Sequence, residues 1–99
     1  MERITKKDLE YLVDRLNDVT GSPPEPHARN DAGQLVANIG NYHLSYAYGG
    51  ASLHRTVNEG GGVSDVLSYG HVPKRDLYDR LHAYLRGYEQ AQTEARHEK

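Results

Sequence analysis

The stretch Gln34-Leu35-Val36-Ala37-Asn38-Ile39-Gly40-Asn41-Tyr42-His43-Leu44-Ser45-Tyr46-Ala47-Tyr48-Gly49-Gly50-Ala51-Ser52-Leu53-His54-Arg55-Thr56-Val57 decides the fold. Apolar and polar residues alternate along it, the period of a half-buried strand. Two dipeptides interrupt the alternation, Gly40-Asn41 and Gly49-Gly50. Both have residue types that tolerate positive φ, which two-residue hairpin turns require. The spacing predicts a three-stranded antiparallel meander with strands over about 34–39, 42–48 and 51–57. Ile39 should then face Tyr42, Ala37 face Leu44, and Leu35 face Tyr46. Across the second turn Tyr48 should face Ala51, Tyr46 face Leu53, and Tyr42 face Val57.

Successive strand side chains point to opposite sides of a sheet. One side holds Leu35, Ala37, Ile39, Tyr42, Leu44, Tyr46, Tyr48, Leu53 and Val57, and is the expected core side. The other holds Val36, Asn38, His43, Ser45, Ala47, Ser52, His54 and Thr56, and should be open to solvent or a partner. Arg55 falls on the core side, so it needs an exposed edge or a carboxylate.

Outward from the meander, residues 5–20 read as a helix. Thr5 and Asp8 have capping-box spacing, Ile4 and Leu9 suit a hydrophobic staple, and Leu9, Leu12, Val13, Leu16 and Val19 form an apolar stripe. Gly21 should end the helix and Pro23-Pro24 prevent its continuation. Residues 21–33 read as an extended linker closing on a turn at Asn30-Asp31-Ala32-Gly33. Beyond the meander come a glycine loop at 58–62, a short fourth strand within 63–67, an irregular stretch at 68–72, and a helix from Pro73 with Leu77, Leu81, Tyr84, Leu85 and Tyr88 on one side. The expected class is α+β: a helix, a three- to four-stranded antiparallel β-meander and a helix, with both helices on one sheet face. Residues 1–88 form the single domain, and 89–99 a polar C-terminal tail or frayed helix end.

A chain of 99 residues builds one modest core. Hydrophobic residues are 36% and charged residues 26%, which is too apolar for disorder. Without cysteine there is no disulfide or thiolate metal site. The net charge of -2 lacks the basic excess expected of a protein held to duplex DNA by phosphate contacts. No apolar run approaches the length of a membrane span and no signal-peptide pattern is visible, so cytoplasmic location is the expectation. All aromatic content is carried by eight tyrosines, which suit core margins and binding surfaces.

Chemical motifs are weak. Gly60-Gly61-Gly62 before Ser64 has the makings of an anion nest, but no Lys-Ser/Thr follows and no helix opens there; a flexible connection is the plainer reading. His43 and His54 fall near each other on the polar side, and no carboxylate from the strands joins them, so no metal and no cofactor are assigned. Ser45 faces His54 in this register without an orienting acid or an oxyanion hole, and the reading leans away from an enzyme. Tyr42, Tyr46, Tyr48, Tyr69, Tyr84 and Tyr88 have the chemistry to stack on bases, or simply to stand in for Phe in a core. The candidate binding residues are Asn41, Tyr42, His43, His54, Arg55, Asn58, Glu59, Gly60, Gly61 and Gly62, grouped at one end of the meander.

The strings Val36-Ala37-Asn38-Ile39-Gly40-Asn41-Tyr42-His43-Leu44, Tyr48-Gly49-Gly50, Leu53-His54 and Asn58-Glu59-Gly60-Gly61-Gly62 resemble small uncharacterised proteins of tailed bacteriophages and prophages. Thr5-Lys6-Lys7-Asp8-Leu9 and Lys74-Arg75-Asp76-Leu77-Tyr78 fit the same resemblance, which spans about residues 5–88. It implies a setting, an accessory protein in the cytoplasm of a bacterial host, and carries over no site residue. The expected function is a non-catalytic binding module, homo-oligomeric, with a host or phage protein as partner. The alternative is a binder of single-stranded nucleic acid or a nucleotide, through the tyrosines and the glycine loop.

Overall fold

The computed structural model describes residues 3–67 and 70–97. Its elements run α1 (Lys6–Thr20), β1 (His27–Arg29), β2 (Leu35–Ala37), β3 (Tyr42–Ala47), β4 (Gly50–Thr56), β5 (Val63–Asp65) and α2 (Lys74–His97). One antiparallel sheet has the order β3-β4-β5, and β1 and β2 make a separate two-stranded sheet. Both helices pack on the three-stranded sheet, and the fold is α+β.

The capping box forms as the spacing predicts. The Thr5 hydroxyl accepts from the Asp8 amide, and the Asp8 carboxylate accepts from the Thr5 amide at 2.8 Å. Gly21 closes α1 at φ 69°, a conformation that needs no Cβ, and its amide turns back to α1 carbonyls. Leu9, Leu12, Val13 and Leu16 of α1 meet Leu77, Leu81 and Leu85 of α2 over Tyr42, Ala51 and Leu53 of the sheet. Spacings of three and four residues put these leucines on one side of each helix, so one apolar layer forms between helices and sheet. Past Tyr88, α2 runs on to His97. Glu89 pairs with Arg15 at 3.0 Å, and the Gln92 amide donates to the Val19 carbonyl at 2.6 Å.

Three expectations are corrected. The first predicted strand does not join the meander. Leu35–Ala37 pairs instead with His27–Arg29, inside the expected linker. The Asn30 side chain organises the connection by accepting from the Ala32 and Gln34 amides. Residues 38–41 are tied to the proline segment, since Asn38 bonds Pro26 and Glu25, and the Asn41 amide donates to the Pro23 carbonyl at 2.7 Å. Gly40-Asn41 therefore redirects the chain rather than folding it into a hairpin. Leu35 (62% exposed) and Ile39 (54%) stand outside the core as a result.

The second turn closes one residue early. Tyr48 and Gly49 take φ 54° and 73°, and Ala47 pairs with Gly50. Gly50 is needed inside β4, because a Cβ there would lie 2.6 Å from the Val72 carbonyl oxygen. Tyr46 thus faces Ala51, Leu44 faces Leu53, Ser45 faces Ser52, and His43 faces His54 directly. Arg55 lies opposite Tyr42. Moving a two-residue turn by one residue moves each partner by two, so every side chain keeps its face. Tyr48 itself is fully exposed, and Val57 lies exposed beyond the end of β4.

The polar side of the sheet is not simply open. Ser52 and Thr56 are buried on it, and β5 brings in Asp65, a carboxylate absent from the predicted arrangement. Residues leading to α2 fold back along β4, where Ala51 and Val72 exchange backbone hydrogen bonds at 2.8 and 2.9 Å. Tyr69, among the tyrosines considered for stacking, lies outside the described residues.

Candidate functional site

The residues singled out in the sequence do collect at one end of the sheet, because Tyr42 opens β3 opposite Arg55 and the glycine loop leaves β4 just beyond. Many of their groups are engaged in structure. Asn41 is buried, with its amide on Pro23 and its oxygen 3.1 Å from the His43 ring. Tyr42 is 1% exposed and has no face to offer a base. The Arg55 guanidinium lies 4.8 Å from the Tyr42 ring centroid, and its Nε donates to the Gly40 carbonyl. This cation–π contact answers the question Arg55 raised, since no carboxylate is needed to place it beside the core. In the loop, the Gly61 and Gly62 amides turn inward to Asn58, and the Glu59 carbonyl accepts from Ala37. The glycine loop thus joins the two sheets. Gly60 is exposed at its tip.

A second group lies on the polar face, and the sequence reading found only part of it. His43 and His54 meet edge to face at 5.9 Å between ring centroids. His54 Nε2 is 2.9 Å from Asp65, whose carboxylate also accepts from Ser52 and from the Gly70 amide. The Gly70 amide is the chief reason that the Asp65 carboxyl sits below its ordinary range. Ser45 Oγ is 3.0 Å from His71 Nε2. The serine and the carboxylate bond to different histidines, His71 and His54, with ring centroids 6.3 Å apart. These four residues therefore form no serine–histidine–acid relay. Among the described residues no three His, Asp or Glu side chains are placed to hold a metal ion. What these contacts do is fasten the segment before α2 to the sheet.

The third feature is the free edge of β3. Ala51 uses its amide and carbonyl on Val72, so they point away from β3. Its cross-strand partner Tyr46 therefore sits in a pair without mutual hydrogen bonds, and its own backbone groups point outward. By the same alternation the backbones of Tyr42 and Leu44 point outward too. At Tyr42 a buried side chain takes the place of a neighbouring strand: Asn17 donates to the Tyr42 carbonyl at 3.0 Å and accepts from its amide at 2.9 Å. At Leu44 and Tyr46 the edge has no partner among the described residues.

This open edge borders a cleft of about 440 Å³ between α1, the proline segment and β3. Glu10, Val13, Asp14 and Asn17 line it from one side of α1, and Pro24, Glu25 and Pro26 from the linker. Three carboxylates thus face the groove, and no Lys or Arg is among its described lining residues. Lys6 stands at the rim, its Nζ 4.7 Å from the Tyr46 ring centroid. His43 is also among the lining residues, its pKa pushed down first by desolvation and then by the neighbouring His54 and His27. Sequence alternation located β3, but neither the Asn17 bracket nor the acidic wall is visible without knowing that α1 crosses beside this edge. No helix among the described residues is long and apolar enough to cross a membrane. Compared with family models, curated proteins and solved structures, the chain finds no match.

Proposed function

We propose that this chain is a small phage-type accessory protein acting as a non-catalytic interaction module, and that it takes an extended segment of another protein onto the free edge of β3. The phage setting rests on the sequence resemblance. The binding mode rests on one observation: the outward backbone groups of Leu44 and Tyr46 lack partners among the described residues and lie beside a groove. Edge strands are usually blunted or covered, and an extended peptide satisfies an edge by adding a strand. A second copy of the chain is the competing occupant, in line with the homo-oligomer expected from the sequence. Pairing two β3 edges would bring both sets of carboxylates together, which weighs against it.

The test is selection of random extended peptides on the wild-type protein, followed by binding to Tyr46→Pro. Proline removes one outward amide and leaves the β4 ladder intact, because Tyr46 donates nothing to β4. The expected result is enriched peptides that lose binding to Tyr46→Pro, with the variant's circular dichroism unchanged. Sedimentation of the free protein runs alongside. A dimer that Tyr46→Pro dissolves would make the second copy the occupant. Peptides that bind wild type and variant equally would overturn the edge as the site.

A further inference from the structure

Resting on that edge-binding reading, we infer that the segment received by β3 is basic, with Lys or Arg at alternate positions facing α1. An added strand continues the alternation of the sheet, so every second side chain points to the helix side. On that side the groove presents Glu10 and Asp14, one turn apart on α1, and Glu25 from the proline segment adds a third carboxylate. All three are exposed, so the wall is charged in water before anything binds. Half-buried Leu44 gives the aliphatic stem of a long basic side chain an apolar surface to lie on, while its charged head reaches the carboxylates. An acidic or phosphorylated segment in the same place would meet three like charges. The same wall repels a nucleic-acid backbone, which separates this site from the nucleotide reading.

The experiment uses the full chain and three synthetic peptides of about eight residues, a usual strand length. Each alternates Val with Lys, Thr or Glu. Anisotropy titrations are run at low and at raised salt, on wild type and on the combined variant Glu10→Gln, Asp14→Asn, Glu25→Gln. These residues are exposed, so the substitutions leave the core alone. The expected result is Lys over Glu by about tenfold or more at low salt, with the margin shrinking in salt and collapsing in the variant. A Lys peptide N-methylated on the amides that face β3 should lose binding. Equal or preferential binding of the Thr or Glu peptide, still blocked by N-methylation, would overturn the basic partner and leave the edge reading standing. Lys-peptide binding indifferent to N-methylation would overturn the edge reading itself. Absence of binding by all three peptides would overturn both.

Discussion

At Asn17 a single amide does the work of a strand. It lies one turn after Val13 on the inward side of α1, where the helical period calls for an aliphatic residue, and it is buried. Its two hydrogen bonds to the Tyr42 backbone end the sheet at that point and orient α1 against β3. Replacing it by Leu keeps the branching and the number of side-chain heavy atoms but leaves a buried amide and carbonyl unpaired, which should cost about 2–4 kcal/mol. Urea denaturation would show it as a lowered midpoint, and an unchanged midpoint would mean that water replaces the bracket. His43 gives a prediction of a different kind. Its pKa is lowered in the folded protein, chiefly by desolvation. Below the ordinary histidine pKa of about 6.5 the unfolded chain takes up a proton that the folded chain resists. Stability is therefore fully present at neutral pH and is lost as pH falls from there toward the lowered value. The fall in Tm between neutral pH and mildly acidic buffer should be smaller in His43→Gln than in wild type. Asp65 acts only at lower pH, since its depressed carboxyl stays charged through that window.

The β3–β4 hairpin shows at the element scale how alternation and turn chemistry carry different information. Alternation assigned Tyr42, Leu44 and Leu53 to the helix side and His43, Ser45 and His54 to the other, and their burial and contacts agree. The exact partners were not legible, because both Gly49-Gly50 and Tyr48-Gly49 satisfy the local rules, and the choice is made by Val72, far along the chain. Tyr48 consequently holds a left-handed conformation that L-residues with bulky side chains avoid. Tyr48→Asn should raise stability by about 0.5–1 kcal/mol, because Asn-Gly suits this turn and the exposed Tyr48 ring contributes only an edge contact with His71. Gly50→Ala should do the reverse, by about 1–3 kcal/mol, as its methyl displaces Val72 from the bridge to Ala51. Thermal melts of the two variants check both signs, and a tolerant Gly50→Ala would show that Val72 does not set the register.

Across the whole molecule, sequence legibility follows the length of the signal. The two helices and β3–β4 repeat their periods often enough to be read, whereas His27–Arg29 is three residues long, too short for any period, and follows prolines that argue against structure. What makes it a strand is its partner Leu35–Ala37, and what holds that pair to the rest is a few backbone ties, from Asn38 to Pro26 and from Ala37 to Glu59. The radius of gyration, 14.8 Å, exceeds the roughly 13 Å usual for this length, as expected when part of the chain lies outside the main core. Only Ala37 of the small sheet is buried, and no residue of it enters the cluster of leucines between helices and sheet. Its opening should therefore leave the leucine core intact and need far less free energy than global unfolding. Native-state hydrogen exchange should find the β1–β2 amides exchanging through local opening, insensitive to small additions of denaturant. The amides of α1 and of the β3–β4 ladder should exchange only with global unfolding and share its denaturant dependence. If β1–β2 amides instead track the global transition, the ties through Asn38 and Glu59 bind the small sheet into one cooperative unit, and the glycine loop that links the sheets is a structural joint rather than a loose connection.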